Sequence, residues 1–163
     1  MELQEKILEK LNQQLNNELY AAYIYQAMGA QFEAEGLEGF ASWMDAQTRE
    51  ELEHARKFYD YINERGGRVE LEAIDKPPSD FGSPLEAFQK ALEHEEMVTD
   101  KINQLVKLAR EEDDYATESF LQWFVDEQVE EEESVNAIID KLEMVGDSDS
   151  GIYLLSKELG RRE

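Results

Sequence analysis

Residues 37–67 read LEGFASWMDAQTREELEHARKFYDYINERGG. From Leu37 to Arg65 there is no proline, and the run stops at the paired glycines Gly66 and Gly67. Phe40, Met44, Gln47, Glu51, His54, Phe58 and Tyr61 recur at alternating spacings of three and four, which places them on one face of a helix. That face is apolar at both ends and polar in its middle. A helix over these 29 residues is about 43 Å long, so its partners must be long as well.

The rest of the chain supplies them. Similar stretches run from about 2 to 35, 83 to 112 and 115 to 145, with a short fifth candidate over 151–159. Ser83-Pro84-Leu85-Glu86 marks a helix start: a capping serine, proline in the first turn and a glutamate that completes a capping box. The helices on either side of Gly36 and of Asp113 are joined by a few residues, which makes each pair antiparallel. The connector from Gly66 to Gly82 has 17 residues and reaches roughly 55 Å when extended. It can return along the whole bundle and set the second and third helices parallel. A short β-like pattern, Arg68 to Ile74, lies inside it. The fold class expected is all-α: one domain over 1–163, a four-helix bundle with a long crossover and an appended short helix.

Composition narrows the chemistry. There is no cysteine, which excludes a disulfide scaffold, thiolate metal sites and a cysteine nucleophile. Sixteen Lys and Arg stand against 39 Asp and Glu, a net charge of −23, so nucleic acid and anionic membrane surfaces are not expected partners. No signal peptide or membrane span is read, and a cytoplasmic location is expected. Adaptation to high salt is one reading of the excess charge.

The core stripes carry the site. The first helix gives Leu8, Leu11, Leu15, Glu18, Ala22, Tyr25, Gly29 and Phe32; the third gives Leu85, Phe88, Leu92, Glu95, Thr99, Ile102, Val106 and Ala109; the fourth gives Thr117, Leu121, Phe124, Gln128, Glu131, Val135, Ile138 and Leu142. Each is interrupted near its middle, as the second is. Buried unpaired carboxylates cost several kcal/mol each, and no Lys or Arg occupies these central positions. A metal is the cation expected to neutralise them. Glu18, Glu51, His54, Glu95, Gln128 and Glu131 form an oxygen-rich set with one imidazole, suited to iron or manganese. Glu18 to Glu51 and Glu95 to Gln128 both span 33 residues, and Glu51–His54 and Gln128–Glu131 both span three. A pseudo-two-fold axis would produce that echo and set two metals side by side, with Glu51 bridging. Gln128-x-x-Glu131 replaces the Glu-x-x-His of the symmetric di-iron bundle, so the two positions should be inequivalent.

Other residues are read beside this set. Tyr25 is either a redox-active phenol or a core tyrosine. His94 falls off the third stripe and reads as a solvated surface histidine. Trp123 reads as packing. Glu50, Glu127 and Glu130 sit one step round their helices and would form a second acidic cluster that collects or passes on cations. A stand-alone di-iron or di-manganese oxidase or catalase, and an acidic scaffold with protonated core carboxylates, are the competing readings of the bundle.

Asn17-Glu18-Leu19-Tyr20, Glu50-Glu51-Leu52-Glu53-His54, Tyr61 to Gly67, Glu93-His94-Glu95, Phe120 to Glu132 and Ile152 to Leu159 together resemble the non-haem bacterial and archaeal ferritins over essentially the whole chain. The resemblance implies a ferroxidase iron store, a homo-oligomeric cage of 24 subunits that oxidises Fe(II) with dioxygen and holds Fe(III) mineral inside. It implies Glu18, Glu51 and His54 on a first iron, Glu51, Glu95 and Glu131 on a second with Gln128 nearby, and Tyr25 beside the centre. It also implies a third iron site at Glu50, Glu127 and Glu130 with Glu131, and an electron-donor partner for iron release. Haem is not expected, because Leu52 stands where bacterioferritins carry their haem methionine. Rubrerythrins are set aside because they carry a cysteine-bound iron domain.

Overall fold

A computed structural model describes residues 2–162. Five helices follow one another: α1 (Glu5–Ala34), α2 (Glu38–Glu64), α3 (Pro84–Glu111), α4 (Tyr115–Val145) and α5 (Asp149–Leu159). Three of them end in the same device. Leu37 N–H bonds Phe32 O, Gly67 N–H bonds Ile62 O and Asp114 N–H bonds Ala109 O, each around a residue of positive φ: Gly36, Gly66 and Asp113. This closure satisfies the last carbonyls and turns the chain sharply. The capping box at Ser83 and Glu86 forms as expected. α5 starts earlier than its sequence pattern suggests, because Ser148 caps it by accepting from Gly151 N at 3.1 Å.

The crossover runs along α1. Asn12 Nδ2 donates to Arg68 O (3.0 Å) and its Oδ1 accepts from Glu70 N (2.9 Å). Asn16 repeats the pair with Glu70 O and Glu72 N, both at 3.0 Å. At the far end of α1, Gln31 bonds Phe81 N (2.7 Å) and Gly82 O (2.8 Å). The β-like residues 68–74 therefore pair with side-chain amides rather than with another strand, and form no strand. Since the connector leaves α2 beside the start of α1 and delivers α3 at its end, α2 and α3 run parallel.

Close packing joins α1 to α2, α3 to α4 and α1 to α3, and α5 rests on α2 and α4. The apolar core is split in two. One cluster gathers Tyr25, Phe32, Phe40, Phe88, Ile138 and Leu142 under α5; the other gathers Leu11, Leu15, Phe58, Ile62, Ile102, Leu121 and Phe124. A fully buried Phe contributes roughly 2 kcal/mol, so two such clusters can carry a polar layer between them.

The stripes read for α2 and α4 are buried throughout. On α3 the buried face is displaced: Ala91, Val98 and Leu105 are buried, whereas Leu92 and Val106 are only partly covered. α3 packs on both α1 and α4, so its covered face is wider than a single seam. This corrects the reading of His94, which is not a surface residue: it is buried between the rings of Tyr20 and Tyr25, with centroids 6.2 and 6.4 Å away.

Candidate metal centre

The polar layer lies between the two apolar clusters. Glu18 from α1, Glu51 and His54 from α2, Glu95 from α3, and Gln128 and Glu131 from α4 are each at most 5% exposed. Their carboxylate and imidazole atoms form two overlapping trios, Glu18–Glu51–His54 and Glu51–Glu95–Glu131, each with one ligand atom per residue within 4.8 Å of the others. Glu51 belongs to both. A third trio joins His54 to Glu131 and the partly buried Glu127.

The polar groups within the layer are arranged around these carboxylates. His54 Nδ1 lies 3.1 Å from Glu51 Oε2 and 3.9 Å from Glu18 Oε2, while its Nε2 lies 3.8 Å from Glu127 Oε1. Gln14 Nε2 donates to Glu18 Oε1 (3.1 Å), and Gln47 Nε2 donates to Glu51 Oε1 (3.1 Å) and Glu131 Oε2 (2.6 Å). Tyr25 OH donates to Glu95 Oε1 at 2.5 Å, and Gln128 Nε2 to Glu95 Oε2 at 3.1 Å and to Thr99 Oγ1 at 3.2 Å. Gln128 thus turns its amide nitrogen, a donor with no lone pair for a metal, toward Glu95. Glu18 Oε2 is buried without a hydrogen-bond partner among the described residues. An orphaned carboxylate oxygen beside one imidazole and three further carboxylates is a donor set that fits a hard divalent or trivalent cation.

The metal-free layer balances its charge with protons. Burial pushes Glu51 well above the usual carboxylate range, and the Glu18 charge adds to it. Glu95 is raised, first by burial. Burial, then the charges of Glu95 and Glu50, push Glu131 up to about 9. Glu18 is the exception: burial opposes its charge, but His54, together with Glu51 and Gln14, outweighs burial and holds it below the ordinary value. Burial also opposes the imidazolium, yet the Glu18 and Glu51 carboxylates push His54 up to about 11. Tyr25 is raised well above its ordinary value by burial and by Glu95, so it stays a phenol at neutral pH. Burial lowers His94, whose Nε2 has no partner among the described residues.

Two members of the layer, Gln14 and Gln47, are absent from the set read from the sequence. A signal was present: each precedes a site glutamate by four residues, and they too are 33 residues apart. Trp123 is 40% exposed and sets its ring edge-on to His54 at 5.3 Å, with Lys57 Nζ 4.1 Å over it. Glu50 and Glu130 fall outside the three trios. They line, with Glu127 and Glu131, a cavity of about 600 Å³ beside the layer.

Residues 8–145 match the family model of the ferritin-like domain. The chain is 46% identical to the bacterial non-heme ferritin of Staphylococcus aureus over 160 residues, 98% of this chain and 96% of that protein. It is 45% identical over the same shares to the bacterial non-heme ferritin of Staphylococcus epidermidis. Among solved structures, an open-pore ferritin from the hyperthermophilic archaeon Archaeoglobus fulgidus superposes with a TM-score of 0.98 at 48% identity, covering 99% of this chain and 98% of that one. A form of the A. fulgidus ferritin engineered to be closed gives 0.97 at the same identity and coverage.

Proposed function

The chain belongs to the ferritin family, and from that premise we propose that it is an iron-storage ferritin with ferroxidase activity. The observation that carries the reading is the shared Glu51 carboxylate between two buried ligand trios. A carboxylate with two oxygens, placed between two trios, suits two metal ions held as neighbours.

Iron is the substrate here. Glu18, Glu51 and His54 bind one Fe(II), and Glu51, Glu95 and Glu131 bind a second. The chain's own work is to yield protons and supply charge. His54 releases a proton to become a neutral imidazole and Glu131 releases one to become a carboxylate, and the ionised carboxylates favour Fe(III), a hard cation, over Fe(II). Each Fe(II) gives one electron to dioxygen. Tyr25 and Gln128 hold Glu95 in place from opposite sides. Gln47 ties the bridging Glu51 to Glu131. The product leaves through the cavity lined by Glu50, Glu127 and Glu130, which serves as a third iron site on the way to mineral.

Storage needs a container, and the surface supplies contacts for one. Tyr153 and Leu154 on α5 are 57% and 64% exposed, and Tyr23, Leu52 and Tyr59 are exposed on α1 and α2. Apolar groups of this kind mark assembly surfaces, here those of a 24-subunit cage in the cytoplasm. Among the described residues no helix is long and apolar enough to cross a membrane. Release of the stored iron requires an electron donor.

The test is to add Fe(II) aerobically and measure iron on the protein peak from a sizing column. Iron far above two per subunit on a very large particle is the expected result. Two per subunit on a small particle would replace the store with a discrete di-iron enzyme.

A further inference from the structure

The cavity beside the metal layer has a cation of the chain's own in its wall. Besides Glu127 and Glu130 it is lined by Trp43 and by Arg161 and Arg162, of which Arg162 reaches Glu50. Arg162 Nη2 lies 2.8 Å from Glu50 Oε1, its guanidinium carbon sits 4.5 Å above the Trp43 ring, and Nη1 donates to Trp43 O at 3.5 Å. Trp43 is itself buried, so the guanidinium rests on a fixed platform. An arginine suits this place because its planar cation stacks on an aromatic face while its edge bonds a carboxylate.

The tail is built to be there. α5 crosses the first turn of α2 at Gly39, whose N–H donates to Ser156 Oγ at 3.0 Å. A Cβ on Gly39 would stand 1.5 Å from Ser156 O, and one on Gly160 would stand 3.2 Å from Gly39 Cα. The absence of a side chain at Gly39 lets the Ser156 backbone close on α2, Gly160 packs tightly against Gly39, and Arg162 follows two residues later. The placement of the guanidinium is therefore a consequence of how α5 docks.

Resting on the reading of Glu50, Glu127 and Glu130 as a cation station, we propose that Arg162 is an internal competitor for that station. It holds Glu50 while the cavity contains no metal ion, and it swings out when a metal cation takes the carboxylate. The tail thereby sets how readily cations pass from the buried layer into the cavity. The contact is suited to reversible displacement: the side chains of Arg162 and Glu50 are 22% and 40% exposed, and a solvated ion pair with one cation–π contact is worth about a three- to tenfold shift in an equilibrium.

Terbium(III), a hard and redox-inert cation, is the probe, titrated calorimetrically into the assembled protein. The class of sites lost in the Glu127→Gln/Glu130→Gln double variant identifies the cavity. Arg162→Ala should tighten that class about three- to tenfold, Arg162→Lys should tighten it less, and the Arg162→Ala effect should vanish in a Glu50→Gln background. An Arg162→Ala affinity equal to the parent's, with the cavity class still present, would overturn the competitor and leave the station standing. If the double variant loses no terbium at all, the station fails, and the role of Arg162 fails with it.

Discussion

The two ends of the polar layer neutralise buried charge in different ways. At the Glu18–Glu51–His54 end an imidazolium does it: His54 is pushed up to about 11 and keeps Glu18 ionised. The Glu95–Glu131 end has no cation of its own among the described residues, and the His54 charge reaches it only as a minor influence. Glu131 keeps a proton up to about 9, and neutral groups, Gln47, Gln128 and Tyr25, hydrogen-bond the carboxylates instead. The 33-residue repeat thus places equivalent helices around the layer but unlike chemistry on them. The lesson is that a pseudo-symmetric bundle can present two ligand trios of unlike chemistry by changing one residue of a repeated pair, His54 against Glu131, which under the proposed function would make two metal positions of unequal strength.

The strongest way to break this comparison is to remove the residue common to both ends. Glu51→Ala should slow the fast phase of Fe(II) oxidation by about a hundredfold or more, as expected when a shared ligand is lost. Stopped-flow oxidation at the parent's rate would mean that Glu51 is not shared. Next, the two ends can be separated with zinc in place of iron. His54→Ala should weaken the tighter of two zinc sites by about 10- to 100-fold, whereas Glu131→Gln should spare it and affect the weaker one. Calorimetry in buffers of different ionisation enthalpy should also find about one proton fewer released at pH 7 in each variant, because each removes a group that is protonated before the metal binds.

A third effect is read from stability. Glu131 is raised in the folded chain, so its contribution is fully present below the ordinary carboxylate value and is lost as pH rises through about 9. His54 contributes in the same sense below its ordinary value, and that contribution is lost as pH rises through about 11. The metal-free protein should therefore show a falling Tm from about pH 5 upward. A metal-loaded sample should show less of that fall, and a Tm that climbs across the same range in the metal-free protein would contradict the protonated layer. The smallest expected effects concern the amides. Gln47→Ala removes a hydrogen bond from two carboxylates and Gln14→Ala from one, so denaturation should find Gln47→Ala the costlier, each by about 1–2 kcal/mol.

Much of this was legible from side-chain spacing alone. A helix has a fixed rise and turn, so residues three and four apart share a face, and a carboxylate at mid-stripe on each of four helices could be located before any contact was known. Glu18, Glu51 and His54, and then Glu95 and Glu131, were found in that way. Gln14 and Gln47 were passed over. Gln47 lies on its stripe but is uncharged and raises no question of neutralisation, Gln14 lies one position off the Leu11–Leu15–Glu18 stripe, and Gln128 enters the set only through the 33-residue repeat. His94 was misplaced because the width of a buried face depends on how many neighbours a helix has, and α3 has two. Nothing in the sequence pattern singles out Asn12 and Asn16, yet they carry the crossover.

By itself, the sequence determined the number and length of the helices, their antiparallel pairing, the absence of thiolate chemistry and the level at which acidic residues meet. These follow from local periodicity, capping and chain reach, which need no knowledge of neighbours. Only the tertiary structure decided that Glu51 belongs to two ligand trios, that Glu131 faces Gln47, and that Arg162 closes on Glu50 some 112 residues away. Those relations depend on the angle at which helices cross and on where a tail comes to rest, and side-chain distances of a few ångströms are set by that packing.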